Sequence, residues 1–224
     1  MIKRILAGIL SALVLAGCAA AEEKITDSVR FQREYEALNG TLRDGDPDKR
    51  YSDVTVGADN PICYVTADEA ADLLETTTAA IYFGAAWCPW CRKAVSALLE
   101  AAKLAGLDCL YYVDVTDERD VWELQGLLAV QTDPGTAGYR RLLRLLDGEL
   151  PEYTLSTEGN FVVHTGEKRI MIPYLVTSAN GRISAACGLT VTLNDTQTPY
   201  STLTPAQQCA LVETLTPLLS ACIQ

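Results

Sequence analysis

The sequence predicts an α/β domain in which helices alternate with the strands of a mostly parallel sheet, and three consecutive stretches carry that prediction. Residues 79–84 (AAIYFG) form a continuous apolar run of buried-strand length. Residues 91–104 follow with Ala and Leu at helical spacing, and 109–115 (CLYYVDV) read as a second buried strand.

The other elements fall around this unit. Order is expected from near Pro61, where ICYV (62–65) is a short strand. Thr66-Ala-Asp-Glu69 is a capping box, which starts a helix running to about Glu75. A further helix is expected from about Asp117 through ERDVWELQGLL, completing a β-α-β-α-β-α series. Residues 131–169 are not required by that series. Within them DPGTAGYRRLLRLLDG reads as a helix with Leu inward and Arg outward, and FVVHTGEKRI as a hairpin turning at Thr165-Gly166. Residues 170–178 and 182–187 read as strands joined at Asn180-Gly181, a strong two-residue hairpin signal. Thr204-Pro205 opens a last helix toward Cys222, which Pro217 should kink or interrupt.

The N-terminus reads as an address. Met1 to Arg4 are positively charged, Ile5 to Ala16 are apolar but too few for a permanent span, and Leu15-Ala16-Gly17-Cys18 matches a bacterial lipobox. Residues 1–17 are therefore expected to be a lipoprotein signal peptide. Cys18 would be the lipidated residue, anchoring the chain to the extracytoplasmic face of the cell membrane. Residues 18–60 are expected to be a tether, with a short helix at FQREYEAL and a turn-rich RDGDPDKRYSD, ahead of a domain over 61–224.

Composition excludes several classes. Acidic residues outnumber basic ones 29 to 18 and no basic stripe is present, so a nucleic-acid partner is not expected. His164 is the only histidine, which argues against hydrolase triads and leaves it an exposed hairpin residue. Without a second CxxC no metal is expected. The acidic group Asp114, Asp117, Glu118 and Asp120 reads as a solvated strand end. Of 8 cysteines, Cys18 is committed to lipid. The pairing of Cys63, Cys109, Cys187, Cys209 and Cys222 cannot be deduced, and Cys109 and Cys209 sit where a free cysteine usually packs in a core.

The remaining pair carries chemistry. In GAAWCPWCRK, Cys88 falls where a strand gives way to a helix, and Cys91 follows one turn in. Unpaired N–H groups at a helix start favour the Cys88 thiolate, with Arg92 and Lys93 adding positive charge nearby. Pro89 stiffens the first turn, and Trp87 and Trp90 offer flat apolar surface for a substrate chain. Such a dithiol can attack a disulfide with one sulfur and resolve with the other.

AAIYFGAAWCPWCRK resembles the active-site strand, loop and helix of the thioredoxin superfamily, and CPWC is close to the CPYC of glutaredoxin-like members. RIMIPYLV (169–176) is similar to the segment holding the family's cis-proline. The resemblance covers roughly 62–115 and 170–222. It implies a thioredoxin-like fold: a central mixed sheet flanked by helices, with an α-rich insertion over about 131–169 before the cis-proline strand. It further implies that Cys88 and Cys91 are catalytic and that Pro173 is the cis-proline. Trp87, Pro89, Trp90, Ile172 and Pro173 would line the substrate groove, with the Ile172 backbone pairing to the substrate. No cofactor is implied. The partners would be protein or peptide disulfides and an unidentified redox protein, for which a membrane protein is one candidate. The chain also resembles lipoprotein thioredoxin-like proteins grouped with bacteriocin-transport accessory proteins, so a redox-inactive peptide-binding or transport-accessory module is the alternative. One position departs. Where thioredoxin has a buried Asp six residues before its first cysteine, this chain has Tyr82, a poor base at its ordinary pKa, so slower resolution by Cys91 is expected.

Overall fold

The computed structural model describes residues 25–157 and 159–223. In chain order its elements are α1 (Asp27–Glu36), β1 (Ile62–Tyr64), α2 (Ala67–Thr76), β2 (Ala79–Gly84), α3 (Pro89–Ala105), β3 (Leu110–Asp114), β4 (Val121–Gln125), β5 (Leu128–Asp133), α4 (Ala137–Leu145), β6 (Glu152–Ser156), β7 (Val162–Lys168), β8 (Tyr174–Ala179), β9 (Arg182–Gly188) and α5 (Pro205–Ser220). The signal peptide and Cys18 lie outside the described residues.

The fold is mixed α/β. One five-stranded sheet runs in the order β1-β3-β2-β8-β9, with β1, β3 and β2 parallel and β8 and β9 antiparallel to their neighbours. Strand β2 is buried on both faces, and its side-chain alternation sorts the core into two layers. Ala80 and Tyr82 face α1, α3 and α5, together with Tyr112 and Leu175. Ile81 and Phe83 face α2 and α4, together with Val113 and Val176. Helix α2 starts at the expected Thr66–Glu69 capping box, and α5 at a second one from Thr204 to Gln207. The β8–β9 turn is Asn180-Gly181 with both residues at positive φ, 50° and 73°. Helix α5 continues through Pro217 to Ser220 rather than stopping there.

Four expectations are corrected. First, the stretch expected as a tether belongs largely to the domain. Helix α1 inserts Phe31 and Tyr35 (both 0% exposed) into the first core layer, where Phe31 meets Tyr112 edge-on at 4.9 Å. Tyr51, Val54 and Val56 are buried as well, and the Asn39 side-chain amide pairs with the backbone of Val54 in both directions (2.8 and 3.0 Å). Only two large apolar residues on a charged helix produce this burial, which is why the segment reads as a spacer.

Second, residues 121–133 are a hairpin and not a helix. V-W-E-L-Q alternates, so Trp122 and Leu124 are half-buried while Val121, Glu123 and Gln125 are exposed, and the chain reverses at Gly126-Leu127. Third, the insertion is not α-rich. It holds the nine-residue α4 between β5 and a second hairpin, β6–β7. The second hairpin turns ahead of Phe161; Thr165 and Gly166 lie inside β7, where the register against Glu152 and Thr154 slips. Fourth, Cys109 is not a free core thiol: it is disulfide-bonded to Cys63 across the β1–β3 edge, with Cα atoms 5.9 Å apart. Cys209 is free and exposed, not packed in the core.

The part played by α1 can be tested through its deepest residue. Phe31→Ala should lower the unfolding free energy by about 3–5 kcal/mol in a urea titration, as for a core aromatic, whereas a tether residue would move it by less than about 0.5 kcal/mol.

Candidate active site

The site forms where β2 ends. The chain leaves the sheet at Gly84, turns through residues 85–88, and enters α3 with Pro89 in its first turn and Cys88 as its N-cap. The Cys88 sulfur accepts the Cys91 N–H at 3.3 Å, which satisfies one of the helix's open donors and favours negative charge on that sulfur. Cys88 is 5% exposed and Cys91 is 0% exposed. Cys88 thus shows only a narrow face to solvent rather than a free surface thiol, and Cys91 shows none.

Their acidities are driven apart. A hydrogen bond from the Cys91 side chain pulls the Cys88 thiol below its ordinary value, against the effect of burial; the N–H groups of Cys91 and Trp90 and the charge of Arg119 act the same way. Burial pushes Cys91 well up, and its hydrogen bond to Cys88 adds to that. One sulfur is therefore the better thiolate, while the other holds its proton more firmly.

The second wall comes from the segment leading into β8, the strand paired beside β2. The Ile172–Pro173 peptide is cis, at the position the family resemblance implies. The Ile172 carbonyl oxygen is 3.9 Å from the Cys88 sulfur, so the segment before β8 is brought against Cys88 from 84 positions away in the chain. Pro173 is buried, Ile172 is half-buried and Met171 is 47% exposed.

Trp87, Pro89 and Trp90 are each half-buried around the sulfurs. Trp87 is fixed at both ends: its indole N–H donates to Thr116 Oγ1 at 2.8 Å, and its carbonyl accepts the Tyr51 hydroxyl at 2.8 Å. The Arg119 guanidinium lies 4.9 Å from the Trp87 ring centre. Trp87, Cys88, Pro89, Trp90, Cys91, Ile172 and Pro173 thus lie in one region of the molecule.

The charges do not sit where their sequence positions suggest. Arg92 turns away from the sulfurs, 1% exposed, and donates to Tyr35 O (2.6 Å), Asn39 Oδ1 (2.6 Å) and Ser52 O (2.9 Å). Lys93 reaches the carbonyl of Ser201. The cation that acts on Cys88 is Arg119, which lies 31 positions later in a stretch that looks like helix surface. Its neighbour Asp120 is not solvated either. Asp120 forms a buried ion pair with Arg169 at 2.8 Å, and this ties the start of β4 to the strand leading into Pro173. Among the described residues no group of three or more His, Cys, Asp or Glu is placed to hold a metal ion. His164 is exposed and bonded to Glu152 at 3.0 Å, away from the dithiol.

No protein-family model, curated protein or solved structure matches the chain, so the site's chemistry rests on its own geometry. Arg119 is the residue that geometry adds. Arg119→Ala should move the pH at which Cys88 becomes reactive upward, because a positive charge that favours the thiolate is removed. The rate of iodoacetamide labelling of Cys88 as a function of pH, read on its peptide by mass, measures the shift.

Proposed function

We propose that the chain is a thiol–disulfide oxidoreductase with a thioredoxin-like fold, held at the extracytoplasmic face of a bacterial membrane by lipid on Cys18. The observation that carries this reading is the Cys88–Cys91 pair itself: two adjacent sulfurs at a helix start, one with its acidity raised and reachable, the other buried with its acidity lowered. A dithiol with that division of labour suits two-step exchange.

The Cys88 thiolate attacks a substrate disulfide. A Cys88–substrate bond forms, the substrate S–S bond breaks, and the departing substrate sulfur leaves with the electron pair and takes up a proton. Cys91 then attacks the Cys88 sulfur. The intramolecular disulfide forms, the mixed disulfide breaks, and the second substrate sulfur leaves as a thiol once protonated. The substrate disulfide gains two electrons and the dithiol loses two; run in reverse, the same steps oxidise a substrate dithiol. No cofactor enters, and a second redox protein returns or removes the electrons. Trp87, Pro89, Trp90, Ile172 and Pro173 form the walls against which the substrate chain lies. The Ile172 backbone is the hydrogen-bonding edge for that chain, close enough to Cys88 to align it with the sulfur.

Two measurements test the reading. Alkylation and mass analysis of the full mature chain poised in thiol buffers should show a reversible two-electron couple on the Cys88–Cys91 peptide, within the range of about −270 to −120 mV spanned by reducing and oxidising members of this chemistry. Absence of any couple would favour the redox-inactive binding module instead. Cys91→Ser should at the same time accumulate mixed disulfides on Cys88. For the anchor, Cys18→Ser should release the protein from the membrane fraction, and persistent membrane association would refute lipidation.

A further inference from the structure

Arg119 is half-buried, and its guanidinium carbon lies 4.9 Å from the centre of the ring of Trp87, the residue before Cys88. That contact uses the flat face of the guanidinium. The five N–H donors around its edge still call for acceptors, because a donor shielded from water and left unpaired is costly. Among the described residues no hydrogen bond or ion pair meets them. Arg92, Arg141 and Arg169, also withdrawn from solvent, each hold acceptors: carbonyls and Asn39 for the first, Asp68 and Asp72 for the second, Asp120 for the third. The acids nearest Arg119 in the chain are engaged elsewhere. Asp114 accepts from Thr116, Glu118 from the Ala67 N–H and the Thr136 hydroxyl, and Asp120 from Arg169. A second cation, Arg43, approaches the same ring at 5.9 Å and has its exposed neighbour Asp44 at 3.5 Å.

We propose that Arg119, assisted by Arg43, binds a carboxylate on the substrate, so that the preferred clients are polypeptides with Asp or Glu beside the disulfide-bonded cysteine. The proposal rests on the oxidoreductase reading and names the substrate class of its site. Trp87 places the cation: its indole N–H is held by Thr116 Oγ1 at 2.8 Å, and the ring so fixed carries Arg119 over its face. The planar fork of a guanidinium matches a carboxylate, with two parallel N–H donors for its two oxygens. The two walls of the site therefore differ. The Ile172 side offers a backbone carbonyl and the exposed apolar Met171, whereas the Trp87 side offers positive charge. The net charge of −11 makes such a preference diagnostic. An acidic protein repels an acidic client at long range, and the Cys88 thiolate repels it at close range, so a preference for acid has to come from cations at the site itself.

The test separates recognition of the client from activation of the thiol. The full mature chain carrying Cys91→Ser, in which reaction stops at the mixed disulfide, is mixed with disulfide-linked peptide dimers that differ only in Glu, Gln or Lys beside the cysteine. Each attack joins one peptide to Cys88 and frees the other as a thiol, and the adduct is timed by acid quench and mass of the Cys88 peptide. Every rate is divided by that of free 2-mercaptoethanol with the same dimer, which removes the peptide's own reactivity. The Glu peptide should react about 10-fold faster than the Gln peptide at low salt, the scale of a hydrogen bond to a charged group, and the Lys peptide slower still. Rising ionic strength should flatten this order. Arg119→Gln should bring the Glu-to-Gln ratio to about one whatever it does to the absolute rate, and Arg119→Lys should restore part of it. Arg43→Gln should lower the ratio less, and it decides the matter if Arg119→Gln does not fold. A ratio near one with both arginines present, or a ratio unaltered in the folded arginine variants, overturns carboxylate recognition and leaves the oxidoreductase reading intact. No adduct on Cys88 with any of the three peptides overturns both.

Discussion

The Arg92 guanidinium sits under the domain's surface, 1% exposed, on the helix that carries the dithiol, and the arrangement of the N-terminal segment depends on how its donors are satisfied. Burying a cation costs several kcal/mol unless hydrogen bonds replace its water, so a structure that buries Arg92 has to bring acceptors to it. Those acceptors are Tyr35 O, Asn39 Oδ1 and Ser52 O, with a longer bond to Ala86 O at 3.4 Å, and none of them lies in the sheet or in α3. Residues 35–52 are therefore wrapped over the helix that carries the dithiol, and Phe31 and Tyr35 are pressed into the first core layer as a result. The packing of α1 and the position of Tyr35 are thus tied to one side chain.

A second buried charge plays the matching part on the opposite side. The Asp120–Arg169 pair joins two segments that flank the site, one following Arg119 and the other leading into Ile172 and Pro173. Arg169 also lies over the Tyr153 ring at 4.3 Å, and Tyr153 meets Trp122 edge-on at 6.4 Å, so the β4–β5 and β6–β7 hairpins are both attached through the same pair. Partial charges at the dithiol are thus held from two directions by full charges that never touch the sulfurs.

Much of this was legible in the residues. The β2–α3–β3 unit, the capping box at Thr66, the Asn180-Gly181 turn and the meeting of Cys88 with Ile172 and Pro173 all follow from strong local patterns or from the family resemblance. What escaped shares a physical cause: its stabilisation is non-local. Helix α1 is too polar to declare a core face, and its two aromatics are placed by Arg92 from 57 positions away, counted from Tyr35. VWELQGLLAV contains good helix formers, and only its alternation, confirmed by pairing to a neighbouring strand, makes it a hairpin. Charges were the least legible. Arg92 and Lys93 stand beside the cysteines in sequence but point elsewhere, while Arg119 reaches the site only once β3 has run the length of the sheet.

The position at which α1 begins also sets a leash. Asp27 lies nine positions after Cys18, so with lipid on that cysteine a fully extended connection is at most about 30 Å long, against about 150 Å had the free segment run to residue 60. A catalyst on the shorter leash sweeps roughly a hundredth of the volume. On the proposed reading it would serve only clients and electron carriers that come within a few nanometres of the bilayer, such as polypeptides emerging from it or the outward-facing loops of proteins embedded in it.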